Sequence, residues 1–438
     1  MRLVVWLNGH KVGFWERRRG QEEFRYDKEW IHSEYKRPIS LSMPILPGNL
    51  PHRGPVVKNY FDNLLPDSRD IRERLARKFS AKSANPFDLL TELGRDCVGA
   101  IQLLQEGEVP EDIYQVQYET LDEAGIASMI RGALTSRGFN ANQEANDLRL
   151  SIAGAQEKTA LLKYKGNWCR PVGSTPTTHI LKLPLGEVGA FRGDMSESVE
   201  NEWLCSKLAS ELGLDVAHCD IEVFEDQKVL SVERFDRKLI TDPETNSEWF
   251  IRYPQEDMCQ ALGCSPLDKY QRDGGPGIAE CMEVLSGSIE AEKDRKQFFK
   301  AQLIFWLLFA PDGHAKNFSI FLLAGGDYQM TPLYDILSAA HLIGNGNNQI
   351  AYQDATLALA IRGSKNYYKF KKITKDRLIN QAQQVGILAE EAKQIIESTL
   401  ASVDDVIETL ESQLPGNFPE HLAESIFTRL RKQAGILT

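Results

Sequence analysis

The sequence predicts a mixed α/β chain: a strand-rich lobe, then a helical one, with a further α/β subdomain ahead of both. Three observations predict it. Asn8-Gly9 stands between Val4-Val5-Trp6-Leu7 and Lys11-Val12-Gly13-Phe14-Trp15, and Asn-Gly between apolar runs is a strong hairpin signal because both residues tolerate the positive φ of a type I′ turn. Short strand-like runs crowd the stretch from about 148 to 250. Beyond about Asn246 the apolar spacing turns mainly helical to the end. The 438 residues exceed one ordinary core, and the parts are set at 1–147, 148–250 and 251–438.

The elements follow in order. After the N-terminal hairpin, Ile71, Leu75 and Phe79 share one face of a helix expected over Asp67 to Phe79. A short helix over Pro86 to Leu93 leads into a strand at Val98 to Leu104, and the acidic stretch Gln105 to Asp112 reads as a surface loop. In the second part, strands are expected at Leu150 to Ala153, Thr159 to Tyr164 and Thr178 to Leu183. A helix over Ser196 to Leu212 ends at Gly213, a residue suited to a helix C-terminus, and strands return at Asp220 to Phe224 and Lys228 to Phe235. In the third part Phe298 to Phe309 is apolar nearly all round, as a core helix is. Amphipathic helices are expected at Lys375 to Val385 and Ala389 to Gln413. No internal repeat or low-complexity segment interrupts this order.

Composition narrows the function classes. Hydrophobic residues make up 42% and charged residues 26%, as in globular proteins in water. The longest apolar run, Leu303 to Ala310, is far short of a membrane span, and the N-terminus reads as a hairpin rather than a signal peptide, so a cytoplasmic protein is expected. A net charge of −11 argues against autonomous nucleic-acid binding, although Arg69 to Lys78 and Lys365 to Arg377 are locally basic. Seven cysteines without a CxxC pair read as thiols in a reducing compartment, not as a disulfide framework or zinc site.

Chemistry concentrates in Pro311-Asp312-Gly313-His314-Ala315-Lys316-Asn317-Phe318, followed by Tyr334-Asp335. An aspartate, an asparagine five residues on and a second aspartate beyond a hairpin is the order in which kinases carry a base and two metal ligands. Phosphoryl transfer needs Mg²⁺ on the phosphates, a cation beside them, a residue to orient the nucleophile and a dry cleft. Asn317 and Asp335 offer an amide oxygen and a carboxylate suited to Mg²⁺. Asp312 is left to accept the proton of an attacking hydroxyl. Taken singly these residues have bland readings: Asp312-Gly313 is a common turn, and Asp335 is placed to cap a helix starting at Ile336. The hairpin between them, with strands Asn317 to Leu323 and Tyr328 to Met330, carries Asn317 and Asp335 back to one end and favours the catalytic reading.

Lys182, mid-strand among apolar neighbours in Ile180-Leu181-Lys182-Leu183, is the candidate phosphate-binding cation, against an exposed lysine on the outer sheet face. The segment Ala153-Gly154-Ala155-Gln156-Glu157-Lys158 is small-residued and suits a phosphate lid, though it is not GxGxxG. Glu233-Arg234-Phe235 is the candidate connector along the base of a nucleotide, against a salt-bridged strand end. His314 and Lys316 lie inside the loop with the base, where a histidine more often holds geometry than moves protons. Asp273-Gly274-Gly275-Pro276-Gly277 reads equally as a substrate-facing loop or as a turn leading into a helix.

These residues stand in longer blocks: FDNLLPDS (61–68), PFDLLTELGRDCVGA (86–100), LSIAGAQEKTALL (150–162), THILKLP (178–184), VERFDR (232–237), QEDMCQALG (255–263) and DGHAKNFS (312–319). In content and order the chain resembles, over essentially its whole length, the HipA family of serine/threonine kinase toxins of bacterial toxin–antitoxin systems. The resemblance implies a protein-kinase-like (phosphatidylinositol-kinase-like) two-lobed fold with an extra N-terminal α/β subdomain and an all-helical C-terminal lobe. It implies ATP- and Mg²⁺-dependent phosphorylation of serine, with glutamyl-tRNA synthetase as target and translation arrest and persistence as outcome. Asp312 would be the base, Asn317 and Asp335 the metal ligands, and Lys182, paired to Glu202, the phosphate-binding residue. The lid Ala153 to Lys158, the connector Glu233 to Phe235, and His314, Lys316 and Tyr334 would line the nucleotide site. Ser151 corresponds to an autophosphorylated serine whose modification silences the enzyme. A HipB-like helix-turn-helix antitoxin would be the partner, the complex would repress transcription at operator DNA, and the acidic net charge leaves most DNA contacts to the antitoxin. Pro311 departs from the family, fixing φ and removing a donor just before the base. Two other functions compete: a small-molecule kinase, since such enzymes share the aspartate–asparagine arrangement, and a non-catalytic corepressor of the antitoxin–DNA complex.

Overall fold

The computed structural model describes residues 1–134, 151–154 and 156–438. Leu150, in an expected strand, and Ala155, in the expected lid, lie outside the described residues. The chain folds into two compact units: Met1–Leu183, Glu222–Leu267 and Ile320–Tyr328 form one; Pro184–Ile221, Asp268–Ser319 and Gln329–Thr438 form the other. These units do not run along the chain as three successive segments.

The first unit opens with strands β1 (Arg2–Leu7), β2 (His10–Arg18), β3 (Gln21–Tyr26), β4 (His52–Arg53) and β5 (Ile101–Gln105), an antiparallel sheet of order β4-β3-β2-β1-β5. Its first turn has Asn8 at φ 45° and Gly9 at φ 81°, the left-handed pair that Asn-Gly permits. Helices α1 (Pro55–Asp62), α2 (Arg69–Lys78) and α3 (Pro86–Leu93) accompany this sheet. Trp15 stacks on Phe61 at 3.9 Å, and Leu3, Val5, Phe87 and Leu90 are buried with them. Ser68 caps α2 by accepting from the Ile71 amide.

A second antiparallel sheet runs from β6 (Tyr118–Thr120) through β8 (Asn167–Pro171), β7 (Lys158–Tyr164) and β9 (His179–Lys182) to Gln227–Glu233. Ile126, Ala127 and Ile130 of helix α4 (Glu123–Leu134) are buried with Leu161, Leu181 and Val229 of this sheet. Helix α4 and strands β6 and β8 were not among the expected elements. The expected strand at 150–153 is not formed, for residues 151–153 have no strand pairing. Strands Arg237–Thr241 and Glu248–Arg252 make a hairpin, and the one-turn helix α6 (Met258–Ala261) is closed by Asp257 and Gln260 as a capping box.

The second unit holds α5 (Ser198–Glu211), α7 (Ile278–Ser286), α8 (Ala291–Leu307), α9 (Lys375–Gln384), α10 (Ala389–Ala401), α11 (Val403–Glu411) and α12 (Glu420–Leu437). Its core helix α8 buries Phe298, Leu303, Ile304 and Trp306, and the Trp306 indole donates to the Phe370 carbonyl. The helix expected over 389–413 breaks at Ser402 into α10 and α11. The C-terminal part is mainly helical but not all-helical: Ser319–Leu322 and Tyr328–Met330 form the expected hairpin, and Thr356–Arg362 pairs with Asn366–Lys369. No helix starts at Ile336; only a 3-10 turn at Ala340–Leu342 follows. Among the described residues no helix is long and apolar enough to cross a membrane.

Candidate active site

The loop 311–318 is aimed by the end of α8. Phe309, at φ 55°, takes the left-handed conformation that usually falls to glycine after a helix. Its ring is fully buried and stacks on Phe370 at 4.0 Å, which holds that conformation. Ala310 N–H donates to Phe305 O, and the Pro311 carbonyl accepts from the Ala358 amide at 2.9 Å, so the proline forfeits no acceptor there. Gly313 lets the loop approach α8 closely, because a Cβ on it would lie 2.2 Å from the Phe305 ring and force one of the two to shift.

The loop closes on the Asp312 carbonyl, which accepts from the His314 amide at 2.7 Å and from Asn317 Nδ2 at 3.0 Å. The Asn317 amide nitrogen is thus spent on the backbone, and its oxygen is the atom left for a hard cation. His314, Lys316 and Asn317 are buried, whereas Asp312 is exposed. Asp312 Oδ1 accepts a hydrogen bond from the Tyr270 hydroxyl at 2.6 Å.

The hairpin returns Tyr334 to the same loop. Its hydroxyl donates to the Lys316 carbonyl at 3.0 Å and meets Ser319 Oγ at 2.5 Å. Asp335, the next residue, stands at φ 59°; left-handed backbone is uncommon outside glycine, least so for Asp and Asn, and strained positions of this kind collect at functional sites. Beyond it, Asn201 of α5 clamps Ser338 in both directions, donating to its carbonyl and accepting its amide, each at 2.8 Å, while Ser338 Oγ donates to Leu308 O. These bonds bring Asp312, Asn317, His314, Lys316, Tyr334 and Asp335 into one neighbourhood of the second unit. Glu202 is buried on α5 in that unit.

The remaining candidates lie in the first unit. Lys182 is 4% exposed, not an outer-face lysine. It is the direct cross-strand partner of Lys158, so both side chains leave the same sheet face. Lys158 Nζ donates to Ala153 O at 2.7 Å, and Gly154, at φ 112°, has its would-be Cβ 2.5 Å from that amine. Glu157 is ion-paired with Arg74, and Gln156 Nε2 donates to Leu183 O. Ser151 is 1% exposed; its Oγ donates to Leu64 O at 2.7 Å and its amide to Asp96 O at 3.0 Å.

The connector residues separate. Glu233 is exposed and Phe235 half-buried, edge-on to Phe321 at 5.7 Å. Arg234 is buried with every polar group engaged in the protein: its guanidinium meets Asp96, Asp236, Thr177 and Cys97 O, its amide donates to Thr178 O, and its carbonyl accepts from Arg237. The salt-bridged reading of this strand end is the one its side chains adopt. Burial alone would raise the pKa of Asp96 and Asp236, but the arginines around them hold both carboxyls below the usual range.

Tyr270, Asn201 and Ser338 escaped the sequence reading. Tyr270 carries no motif. Asn201 had a faint signal: Glu200, Asn201 and Glu202 are consecutive polar residues on a helix and all three are buried, where a surface helix would expose one face.

Within the second unit, an aspartate on a closed loop, an asparagine five residues on and an aspartate beyond the hairpin keep the order in which kinases carry their base and metal ligands. The comparisons are specific. Residues 150–407 match the HipA-like C-terminal domain and residues 3–104 the HipA N-terminal domain. The chain is 33% identical to the kinase-assigned protein Y4mE of Sinorhizobium fredii, over 98% of this chain and 97% of that one. It is 28% identical to the serine/threonine-protein kinase toxin HipA of Shewanella oneidensis, over 72% of this chain and 69% of that protein. The structure of Shewanella oneidensis HipA with HipB and operator DNA shares the fold, at a TM-score of 0.78 and 22% identity over 99% of this chain and 97% of that one. The chain belongs to the HipA family of kinase toxins, whose membership implies ATP and Mg²⁺.

Proposed function

We propose that this chain is the ATP-dependent serine/threonine kinase toxin of a toxin–antitoxin module. Asp312 accepts the proton of the acceptor serine as its oxygen attacks the γ-phosphorus, and ADP leaves with the displaced bridging oxygen. Asn317 Oδ1 and the Asp335 carboxylate would hold Mg²⁺, which when bound would neutralise developing charge on the phosphates. Lys158 and Lys182 supply cations to the phosphates. Two like charges directly opposite across a strand pair are unfavourable alone, and an anion between them turns the pairing to advantage. The resemblance assigns Glu202 as the acidic partner of Lys182; each is buried within its own unit. Ala153 to Lys158 serve as lid, and Glu233 and Phe235 line the nucleotide on a segment that Arg234 holds in place. His314, Lys316 and Tyr334 fix the loop that carries Asp312.

The observation that carries this reading is the closed 312–317 loop, which turns the Asn317 nitrogen inward and leaves the Asp312 carboxylate at the surface. Ser151 fits a self-limiting role. Its hydroxyl is packed against a backbone carbonyl, and a phosphate of about −1.5 to −2 charge has only acceptors to offer there. Phosphorylation therefore requires the segment to leave its site and prevents its return. Glutamyl-tRNA synthetase is the proposed substrate, with arrest of translation and persistence as the consequence. A HipB-like antitoxin is the proposed partner at operator DNA; the net charge of −11 leaves most phosphate contacts to it.

The test is phosphorylation of purified glutamyl-tRNA synthetase, and of a cell lysate, by the purified chain with labelled ATP. A labelled serine in the synthetase and phosphate on Ser151 by mass spectrometry are expected, with about a 10³-fold loss of rate in Asp312→Asn. Labelled small molecules without labelled protein would overturn the assignment of the substrate class.

A further inference from the structure

The Asp273–Gly277 loop and the tyrosine before it are tied to the base aspartate. Tyr270 donates its hydroxyl to Asp312 Oδ1 at 2.6 Å. Asp312 is otherwise exposed, and a carboxylate in water turns freely about its last torsion. The tyrosine does not share that freedom. Its ring stands edge-on to the buried imidazole of His314, centroids 5.1 Å apart at 82°. Its carbonyl accepts from the Asp273 and Gly275 amides, both at 3.0 Å. Next to it, the Gln271 side chain accepts from the Ala360 amide at 2.7 Å.

The glycines make this turn possible. A Cβ on Gly275 would lie 1.8 Å from Asp268 O, and one on Gly277 2.2 Å from Gln271 Nε2. Gly274, at φ 99°, takes the left-handed turn, and Gly277 N–H donates to Glu280 Oε2 where α7 begins. The loop that the sequence left between two readings leads into a helix, and its tight fold fixes Tyr270 in the backbone.

We propose that Tyr270 is a positioning residue for phosphoryl transfer: its hydroxyl fixes Asp312 Oδ1 so that Oδ2 faces the incoming serine hydroxyl. This rests on the assignment of Asp312 as base. A carboxylate accepts at both oxygens, so the tyrosine occupies one and leaves the other for the reacting proton. A hydrogen bond to a charged acceptor is among the stronger kind, and a base held within a narrow angular range is worth more to the rate than one that must be found there by rotation. The opposite arrangement, with the phenol occupying the place of the substrate hydroxyl until displaced, calls for a side chain free to leave. Tyr270 is instead held at its ring and at its backbone carbonyl.

Tyr270→Phe and Tyr270→Ala separate the possibilities, measured on the full chain with ATP, glutamyl-tRNA synthetase as acceptor, and autophosphorylation as a second readout. Phe keeps the ring against His314 and removes only the donor. Its kcat is expected to fall about tenfold, equivalent to ~1.4 kcal/mol of barrier, with KM for ATP, KM for the acceptor and the Tm unchanged. Ala is expected to lose at least as much activity. A wild-type kcat in Phe beside a defective Ala would reduce Tyr270 to packing. A rise in kcat/KM for the acceptor in Phe would make the hydroxyl a placeholder. Either result overturns the proposal while Asp312→Asn stays inactive; an active Asp312→Asn would strike the base assignment instead.

Discussion

VERFDR at 232–237 and DGHAKNFS at 312–319 are both dense in charge and both read as site segments, yet their charges are used differently. In the first, Arg234, Asp236 and Arg237 are buried with Asp96, 138 residues or more earlier in the chain. Arg237 meets Asp96 Oδ1 at 2.8 Å and Asp236 Oδ2 at 3.0 Å, Arg234 meets Asp236 at both oxygens, Thr177 donates to Asp96 Oδ2, and the Gly99 amide joins the arginines on Asp236 Oδ2. Every oxygen that faces the interior is used. In the second, the backbone and the Asn317 nitrogen absorb the hydrogen bonds, and the Asp312 carboxylate remains at the surface. A segment whose charges satisfy one another holds structure; one whose backbone is satisfied while its carboxylate faces outward is equipped for chemistry.

Substitution at the two aspartates sharpens that contrast. Asp312→Asn is expected to remove about 10³-fold of activity and to shift stability by no more than ~0.5 kcal/mol, as for an exposed residue. Asp96→Asn removes the charge that Arg234, Arg237 and Arg252 share. Breaking a buried ion pair from one side leaves its partners uncompensated and costs about 3 to 5 kcal/mol. Urea denaturation should therefore show a markedly lower midpoint for Asp96→Asn and an unmoved one for Asp312→Asn. Similar midpoints for both would break the division between structural and catalytic segments.

The sequence revealed unequal parts of this. Helix α3 was read at both bounds, and β1, β2, β7 and β9 to within a few residues, because turn chemistry and apolar alternation are local. The Ser319–Leu322 and Tyr328–Met330 hairpin was legible because Gly325 and Gly326 mark its turn. Helix α4 and strands β6 and β8 were missed: β6 is three exposed residues, and β8 ends in Pro171. At the site, the order Asp312, Asn317, Asp335 was visible as spacing. The partners that aim those residues were not: Tyr270 is 42 residues from Asp312 and Asn201 is 137 from Ser338, and no local pattern encodes a contact at such separation. The ambiguity of VERFDR had the same origin, since only the position of Asp96 decides whether Arg234 turns inward.

Gly313 tests how far the loop depends on packing rather than on hydrogen bonds. Gly313→Ala places a methyl 2.2 Å from the Phe305 ring, and overpacking of this kind costs about 1 to 3 kcal/mol. A lower Tm together with a fall in kcat larger than any change in KM for ATP is expected, because the strain is released by moving Asp312. A drop in Tm with full activity would show that Phe305 yields instead of the loop.

The smallest effect concerns pH, and it distinguishes two kinds of buried carboxylate within the first unit. Asp96 and Asp236 have folded pKa values held below the ordinary range by arginines. Their contribution is present above the unfolded value near 4 and is lost as pH falls below it. Glu256 is the reverse: burial, with a small addition from Asp257, pushes its carboxyl up to about 8, although Oε1 accepts the Leu41 amide at 2.8 Å. Between the ordinary glutamate range and about 8 the folded chain keeps a proton that the unfolded chain releases, so stability declines as pH rises through that window. Acting alone, these two kinds of group favour the folded chain most on the weakly acid side of neutrality. Glu256→Gln retains an oxygen for the Leu41 amide and removes the titration. It is expected to match the parent near pH 5 and to exceed it by about 1 to 2 kcal/mol near pH 9, read from denaturant midpoints across that range. A parallel pH dependence in the two proteins would mean that Glu256 ionises in the folded chain as readily as in the unfolded one.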